Sequence, residues 1–128
     1  MKEIKFNIPL QDPKSTRNVI KFLNEKKPLH GPGKNISLIK KKIKKILGFK
    51  SIHLTNSCTS ALEICALILN LKKTDEVIVP SFSFVTTASS FTRAGCRLKY
   101  CDIEKKNLMP SLNQIKECVN KNTKAVVI

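Results

Sequence analysis

The spacing of apolar residues along this chain changes from helical to strand-like and back several times, and each change marks an element. After Asp12-Pro13, the stripe Val19, Ile20 and Leu23 predicts a first helix, with Ser15 as its cap and Pro28 and the His30-Gly-Pro-Gly33 turn as its stop. Ile36, Ile39, Ile43, Ile46 and Leu47 recur at helical spacing, so a second helix is expected over 36–47, with lysines on its other face and Gly48 as C-cap. From Ser51 onward short apolar runs alternate with helical patterns. Residues 52–55 read as a strand, 59–71 as a largely apolar helix, 76–79 as a buried strand stopped by Pro80, and 84–93 as a helix with Gly95 beyond its end. Residues 98–101 form the next expected strand, Ser111 caps a helix to about Asn120, and 125–128 begin another strand.

This alternation predicts an α/β fold in which a parallel-rich sheet carries helices on both faces. Such sheets take ligands beyond the carboxyl ends of their strands. The 56–60 and 80–84 turns both lie at that edge. The last residues, Val126-Val-Ile128, would leave an apolar strand edge uncovered, so the chain is expected to be the front part of a larger protein.

The two turns differ in chemistry. Leu54-Thr-Asn-Ser-Cys-Thr-Ser-Ala-Leu-Glu63 passes from a short strand through small polar residues directly into a helix. The first amides of a helix lack internal partners and sit at the positive end of its dipole, which favours an anion such as phosphate. An ordinary capped helix start has the same appearance, so both readings stand on these residues alone.

Composition narrows the function classes. With 128 residues the chain can bury one modest core. Its net charge of +15 invites a nucleic-acid reading, but 21 of the 24 basic residues are lysines, Trp is absent and there is a single Tyr. Nucleic-acid readers lean on arginine forks and aromatic stacking, so the seven lysines between Lys34 and Lys50 read as the solvated face of the second helix, and no nucleic-acid partner is expected. No run approaches the roughly 20 apolar residues of a membrane helix, and the charged start Met1-Lys-Glu-Ile-Lys5 does not fit a secretory signal. The expectation is a cytoplasmic protein without membrane contact. The five cysteines, 58, 65, 96, 101 and 118, are odd in number and form no CxxC pair, and His30 and His53 are the only imidazoles, so no metal site is expected. Cys65 and Cys118 fall within apolar helical patterns and are expected to be buried free thiols.

Three blocks carry a family resemblance: Asn56-Ser-Cys-Thr-Ser-Ala-Leu62, Asp75-Glu-Val-Ile-Val-Pro-Ser-Phe-Ser-Phe-Val-Thr-Thr-Ala88, and Cys101-Asp102 with Thr123-Lys-Ala-Val-Val-Ile128. With Gly31-Pro-Gly33 at a glycine-turn position, the chain resembles the DegT/DnrJ/EryC1/StrS sugar-nucleotide aminotransferases from about Ile8 to its end. The resemblance implies the N-terminal part of a fold-type-I large domain, incomplete here. Residues 1–34 would be an N-terminal segment and 35–128 the first part of the domain that binds pyridoxal 5'-phosphate. Cys58, Thr59 and Ser60 would hold the cofactor phosphate through backbone N–H groups and the Thr59 hydroxyl. Phe84 matches the aromatic position against the pyridine ring; read without the resemblance it is a core Phe at a helix start. Asp75 and Asp102 are expected to organise turns, and Glu63 to favour its helix N-terminus.

The Ser-Cys-Thr form is similar to the branch that converts dTDP-4-oxo-6-deoxyglucose to dTDP-4-amino-4,6-dideoxygalactose. That implies a nucleotide-sugar substrate, an amino-acid donor (glutamate), surface polysaccharide synthesis, and a homodimer for the full-length protein. The family's pyridine-pairing aspartate and Schiff-base lysine lie later than these residues, so no catalytic residue is assigned and these residues alone should not transaminate. Other readings are a sugar dehydratase of the same family, an inactive truncated remnant and a basic nucleic-acid-binding protein.

Overall fold

Asp12 starts the first helix, α1 (Pro13–Asn24), in the computed structural model, which describes residues 7–25 and 33–128. The Asp12 carboxylate accepts from the Lys14 amide at 3.2 Å and the Ser15 amide at 2.9 Å. The Ser15 side chain instead donates to that carboxylate, which corrects its expected role as the cap. A carboxylate just before a helix-opening proline meets the orphan amides first, and proline at the start has no N–H to lose. The Ser15 hydroxyl, then the Ser15 and Lys14 amides, hold the Asp12 carboxyl below its ordinary range.

The expected stop at Pro28 and most of the 30–33 turn lie outside the described residues. Gly33 is the N-cap of α2 (Lys34–Leu47). Gly48 ends this helix at φ +71°, a left-handed conformation that suits a residue without Cβ, and its amide donates to the Lys44 carbonyl at 2.9 Å. Described residues as far as His53 form one compact unit and Leu54–Ile128 a second. Residues 52–55 make no strand, contrary to expectation. An extended alternating run becomes a strand only where a neighbour completes its ladder, and none among the described residues does.

The second unit runs α3 (Cys58–Ile68), β1 (Glu76–Pro80), α4 (Val85–Arg93), β2 (Arg97–Cys101), α5 (Leu112–Cys118) and β3 (Thr123–Val126). Its sheet has the order β2-β1-β3, and both pairings are parallel. Central β1 is therefore covered on both faces. Val77 and Val79 pack with Ala66 of α3, Phe91 of α4 and Cys96, while Ile78, pointing the other way, is also fully buried. Each of these three side chains contributes about 1.5–3 kcal/mol by burial.

Leu98 pairs with Val77 and joins the core on the α3/α4 face, so Cys101 turns to the opposite face, where Cys118 of α5 lies beside it. Right-handed crossovers explain the layering. The chain steps from β1 to β2 over α4, then returns past β1 to β3 over α5, so successive helices fall on opposite faces. Gly95, at φ +92°, makes the tight exit from α4 into β2.

The thiols are not arranged as expected. Cys96 and Cys101 are buried, Cys118 is half-buried and Cys65 is exposed. The α3 sequence is apolar around most of its circumference, and the described elements cover only the side that carries Leu62 and Ala66. Ile64, Leu67 and Ile68 remain 46%, 73% and 77% exposed. Periodicity alone could not say which side of such a helix is covered.

Candidate active site

Loops leaving β1 and β2 go to helices on opposite faces, the arrangement in which parallel sheets take ligands beyond the carboxyl ends of their strands. Ser81 links the two strand ends. Its amide donates to the Cys101 carbonyl at 2.8 Å and its hydroxyl to Asp102 Oδ1 at 3.2 Å. Asp102 Oδ1 also accepts from the Ile103 amide at 2.8 Å, and Asp75 Oδ2 from the Lys72 amide at 2.8 Å. Both aspartates thus organise turns, as expected.

At the start of α3, Ser57 is the N-cap. Its hydroxyl oxygen accepts from the Ser60 amide at 3.1 Å, and the Ser57 carbonyl accepts from the Ala61 amide at 3.2 Å. The Ser60 amide, one of the three expected at the phosphate, is therefore engaged within the turn. Cys58 and Thr59 occupy the first two helical positions, where an amide has no intrahelical partner, and their N–H groups stay open among the described residues. Phe84 is the N-cap residue of α4, which starts without a side-chain cap. Phe84 is 73% exposed and does not enter the core formed by the described residues.

Thr86 was not anticipated. Thr59 Oγ1 donates to Thr86 Oγ1 at 3.0 Å, tying the first turn of α3 to the first turn of α4. The signal available in the sequence was a hydroxyl residue at the start of the helix after Pro80, but its partner stands 27 residues away. Thr86 is held in turn from within α4, where its carbonyl accepts from the buried Ser90 hydroxyl at 2.7 Å. Glu63 lies beyond the first turn of α3, contrary to its expected place at the helix N-terminus, and pairs with Arg93 at 3.0 Å.

The structure thus brings Cys58, Thr59 and, through the Thr59–Thr86 bond, the start of α4 with Phe84 into one neighbourhood at the sheet's carboxyl edge. Two open amides at the positive end of an eleven-residue helix, flanked by a hydroxyl pair, suit a phosphate group. An exposed ring at the next helix start suits a flat aromatic ligand. Among the described residues, no group of three His, Cys, Asp or Glu side chains could hold a metal ion, and no helix is long and apolar enough to cross a membrane.

The chain is 36% identical over 73 residues to dTDP-4-dehydro-2,3,6-trideoxy-D-glucose 4-aminotransferase of Saccharopolyspora spinosa, covering 57% of this chain and 19% of that protein. It is 29% identical over 123 residues to GDP-perosamine synthase of Vibrio cholerae, covering 94% of this chain and 34% of that one. Among solved structures, the E. coli GDP-4-keto-6-deoxy-D-mannose-3-dehydratase with bound hydrated PLP superposes with a TM-score of 0.80 at 26% identity, over 93% of this chain and 32% of that one. The chain therefore spans about a third or less of these relatives. The profile of the DegT/DnrJ/EryC1/StrS aminotransferase family matches residues 9–128, and the chain belongs to that family.

Proposed function

We propose that these residues form the cofactor-phosphate end of a pyridoxal-phosphate enzyme acting on nucleotide-linked keto sugars. The observation that carries this reading is the pair of open amides at Cys58 and Thr59, tied through Thr59 and Thr86 to the helix start that presents Phe84. In this reading the Cys58 and Thr59 amides bind the phosphate and the Thr59 hydroxyl adds a further donor. The Ser60 amide contributes once it exchanges the Ser57 hydroxyl for the phosphate. Phe84 lies on one face of the pyridine ring, orienting it and excluding water. When bound, pyridoxal phosphate supplies the electron sink and amino carrier of the reaction. The finer reading is amination of dTDP-4-oxo-6-deoxyglucose to dTDP-4-amino-4,6-dideoxygalactose, with glutamate as donor, by a cytoplasmic homodimer serving polysaccharide synthesis.

A second reading, a sugar dehydratase, is supported by the dehydratase among its structural relatives. Sequencing the transcript past the codon for Ile128 separates the two: a lysine at the Schiff-base position supports the aminotransferase, and another residue there supports the dehydratase.

The binding test needs a ligand that does not condense with the chain's 21 lysines. Pyridoxamine 5'-phosphate meets that need, because an amine forms no imine with lysine. Calorimetric titration is expected to show saturable binding, competition by inorganic phosphate and far weaker binding of pyridoxamine. Equal affinity for pyridoxamine with and without its phosphate would overturn the assignment of the α3 start.

A further inference from the structure

Beyond the candidate cofactor site, the chain holds a second chemically distinctive cluster. Cys101, the last residue of β2, is 1% exposed, and Cys118, the last residue of α5, lies on the same face of the sheet and is half-buried. Cys118 Sγ stands 3.9 Å from the Tyr100 carbonyl, on the peptide unit that leads into Cys101. Both thiols are free. We propose that Cys101 and Cys118 form a redox-sensitive pair that closes to a disulfide on exposure to a peroxide, stapling α5 to the end of β2.

The accessibilities set the order of events. Cys118 is the more exposed sulfur, so it meets the oxidant first. Its thiolate attacks one peroxide oxygen, giving a sulfenic acid and, from hydrogen peroxide, one water. The Cys101 sulfur then attacks the Cys118 sulfur. The S–O bond breaks, the hydroxyl leaves with the Cys101 proton as a second water, and the S–S bond forms. Two thiols lose two hydrogens, and one hydrogen peroxide is reduced to two waters. Burial, then the neighbouring Cys118 side chain, push the Cys101 thiol above its ordinary range, so the second step is the slow one. In a reducing compartment the pair rests as the dithiol. Closed, it would tether the segment from Asp102 to Ser111, whose first residue accepts the Ser81 hydroxyl at the carboxyl edge of the sheet. This inference does not depend on the cofactor assignment.

Tryptic mapping of the whole folded chain after hydrogen peroxide treatment tests it. The cut sites isolate the two sulfurs in separate peptides, Tyr100-Cys-Asp-Ile-Glu-Lys105 and Glu117-Cys-Val-Asn-Lys121. The expected result is a monomeric product lighter by two hydrogens, in which these two peptides are linked and dithiothreitol separates them. Cys118→Ser should abolish the link without disturbing the buried strand, and a Cys58→Ser/Cys65→Ser variant should keep it. Oxidation of Cys118 only to the sulfinic acid, its pairing with Cys58 or Cys65, or an equal yield of the link in chain unfolded with guanidinium would each overturn the proposal.

Discussion

Thr59 and Thr86 share a hydrogen bond of 3.0 Å between their hydroxyls, and through it the first turns of α3 and α4 hold one another in place. Neither helix start has its amides fully capped by side chains: Ser57 serves only the Ser60 amide on α3, and α4 has no side-chain cap. Two partly open helix starts fixed side by side form a more rigid donor set than either alone. Thr59→Val keeps the shape of the side chain and removes the hydroxyl. A net hydrogen bond is worth about 1 kcal/mol, and one to a charged group about 1.5–3 kcal/mol. We expect a stability loss of about 1 kcal/mol by urea unfolding and a Kd for pyridoxamine 5'-phosphate raised by about tenfold or more. Weakened stability with an unchanged Kd would mean that the hydroxyl serves the fold and not the phosphate.

The two phenylalanines of the α4 segment make a controlled pair. Phe91 is 3% exposed within the core, and Phe84 is 73% exposed at the carboxyl edge of the sheet. Phe91→Ala is expected to cost about 3–5 kcal/mol of stability through lost burial and the cavity left behind. Phe84→Ala should change stability by no more than about 0.5 kcal/mol. Its effect belongs to binding, where losing an aromatic stack of about 0.5–1.5 kcal/mol would weaken pyridoxamine 5'-phosphate severalfold. Urea unfolding and calorimetry on both variants check the contrast. A destabilised Phe84→Ala with normal affinity would return this residue to a structural role.

At the start of α5, Ser111 and Gln114 form a capping box: the Ser111 hydroxyl oxygen accepts from the Gln114 amide at 3.3 Å, and Gln114 Oε1 accepts from the Ser111 amide at 2.8 Å. Ser111→Ala removes one half of it and should cost about 1 kcal/mol. Because α5 has only seven residues, the loss is expected to fray the helix as a whole, seen as faster amide exchange from Leu112 to Cys118.

Features of this kind were legible because they are local. Ser111 as a cap, Gly48 as a left-handed stop and Pro80 as the end of a strand each rest on chemistry within a few residues, and all three stand in the structure. The Asp12 cap was also local. Asp12 and Ser15 are both good cap residues, and the Pro13 that opens the helix decides for Asp12. The remaining differences are tertiary. Residues 52–55 alternate as a strand does but have no described strand to pair with, and Cys65 lies on an apolar helix whose covered side is chosen by β1 and α4. Thr86 could not be read as a site residue, because its meaning comes from a partner 27 positions earlier. At the candidate site, the open amides followed from the turn chemistry, whereas the exposure of Phe84 depended on which strands and helices surround it.

Buried thiols give the chain a defined response to alkaline pH. Burial raises the Cys96 thiol above its ordinary range, opposed by a backbone hydrogen bond and reinforced by Asp75. Burial also raises Cys101 above its ordinary range, with Cys118, Asp102 and Glu117 acting in the same direction. In the unfolded chain both thiols titrate near their ordinary value. The folded state therefore binds these protons more tightly, and unfolding releases them once pH exceeds that value. The stabilisation is complete below the unfolded pKa and is lost as pH rises through the folded one. Urea midpoints are thus expected to hold steady up to about pH 8 and to fall as pH rises past the ordinary thiol range of about 8.5. A Cys96→Ala/Cys101→Ala variant, less stable overall, should lose most of the downward slope. A slope that persists in this variant would assign the alkaline loss to groups other than these thiols.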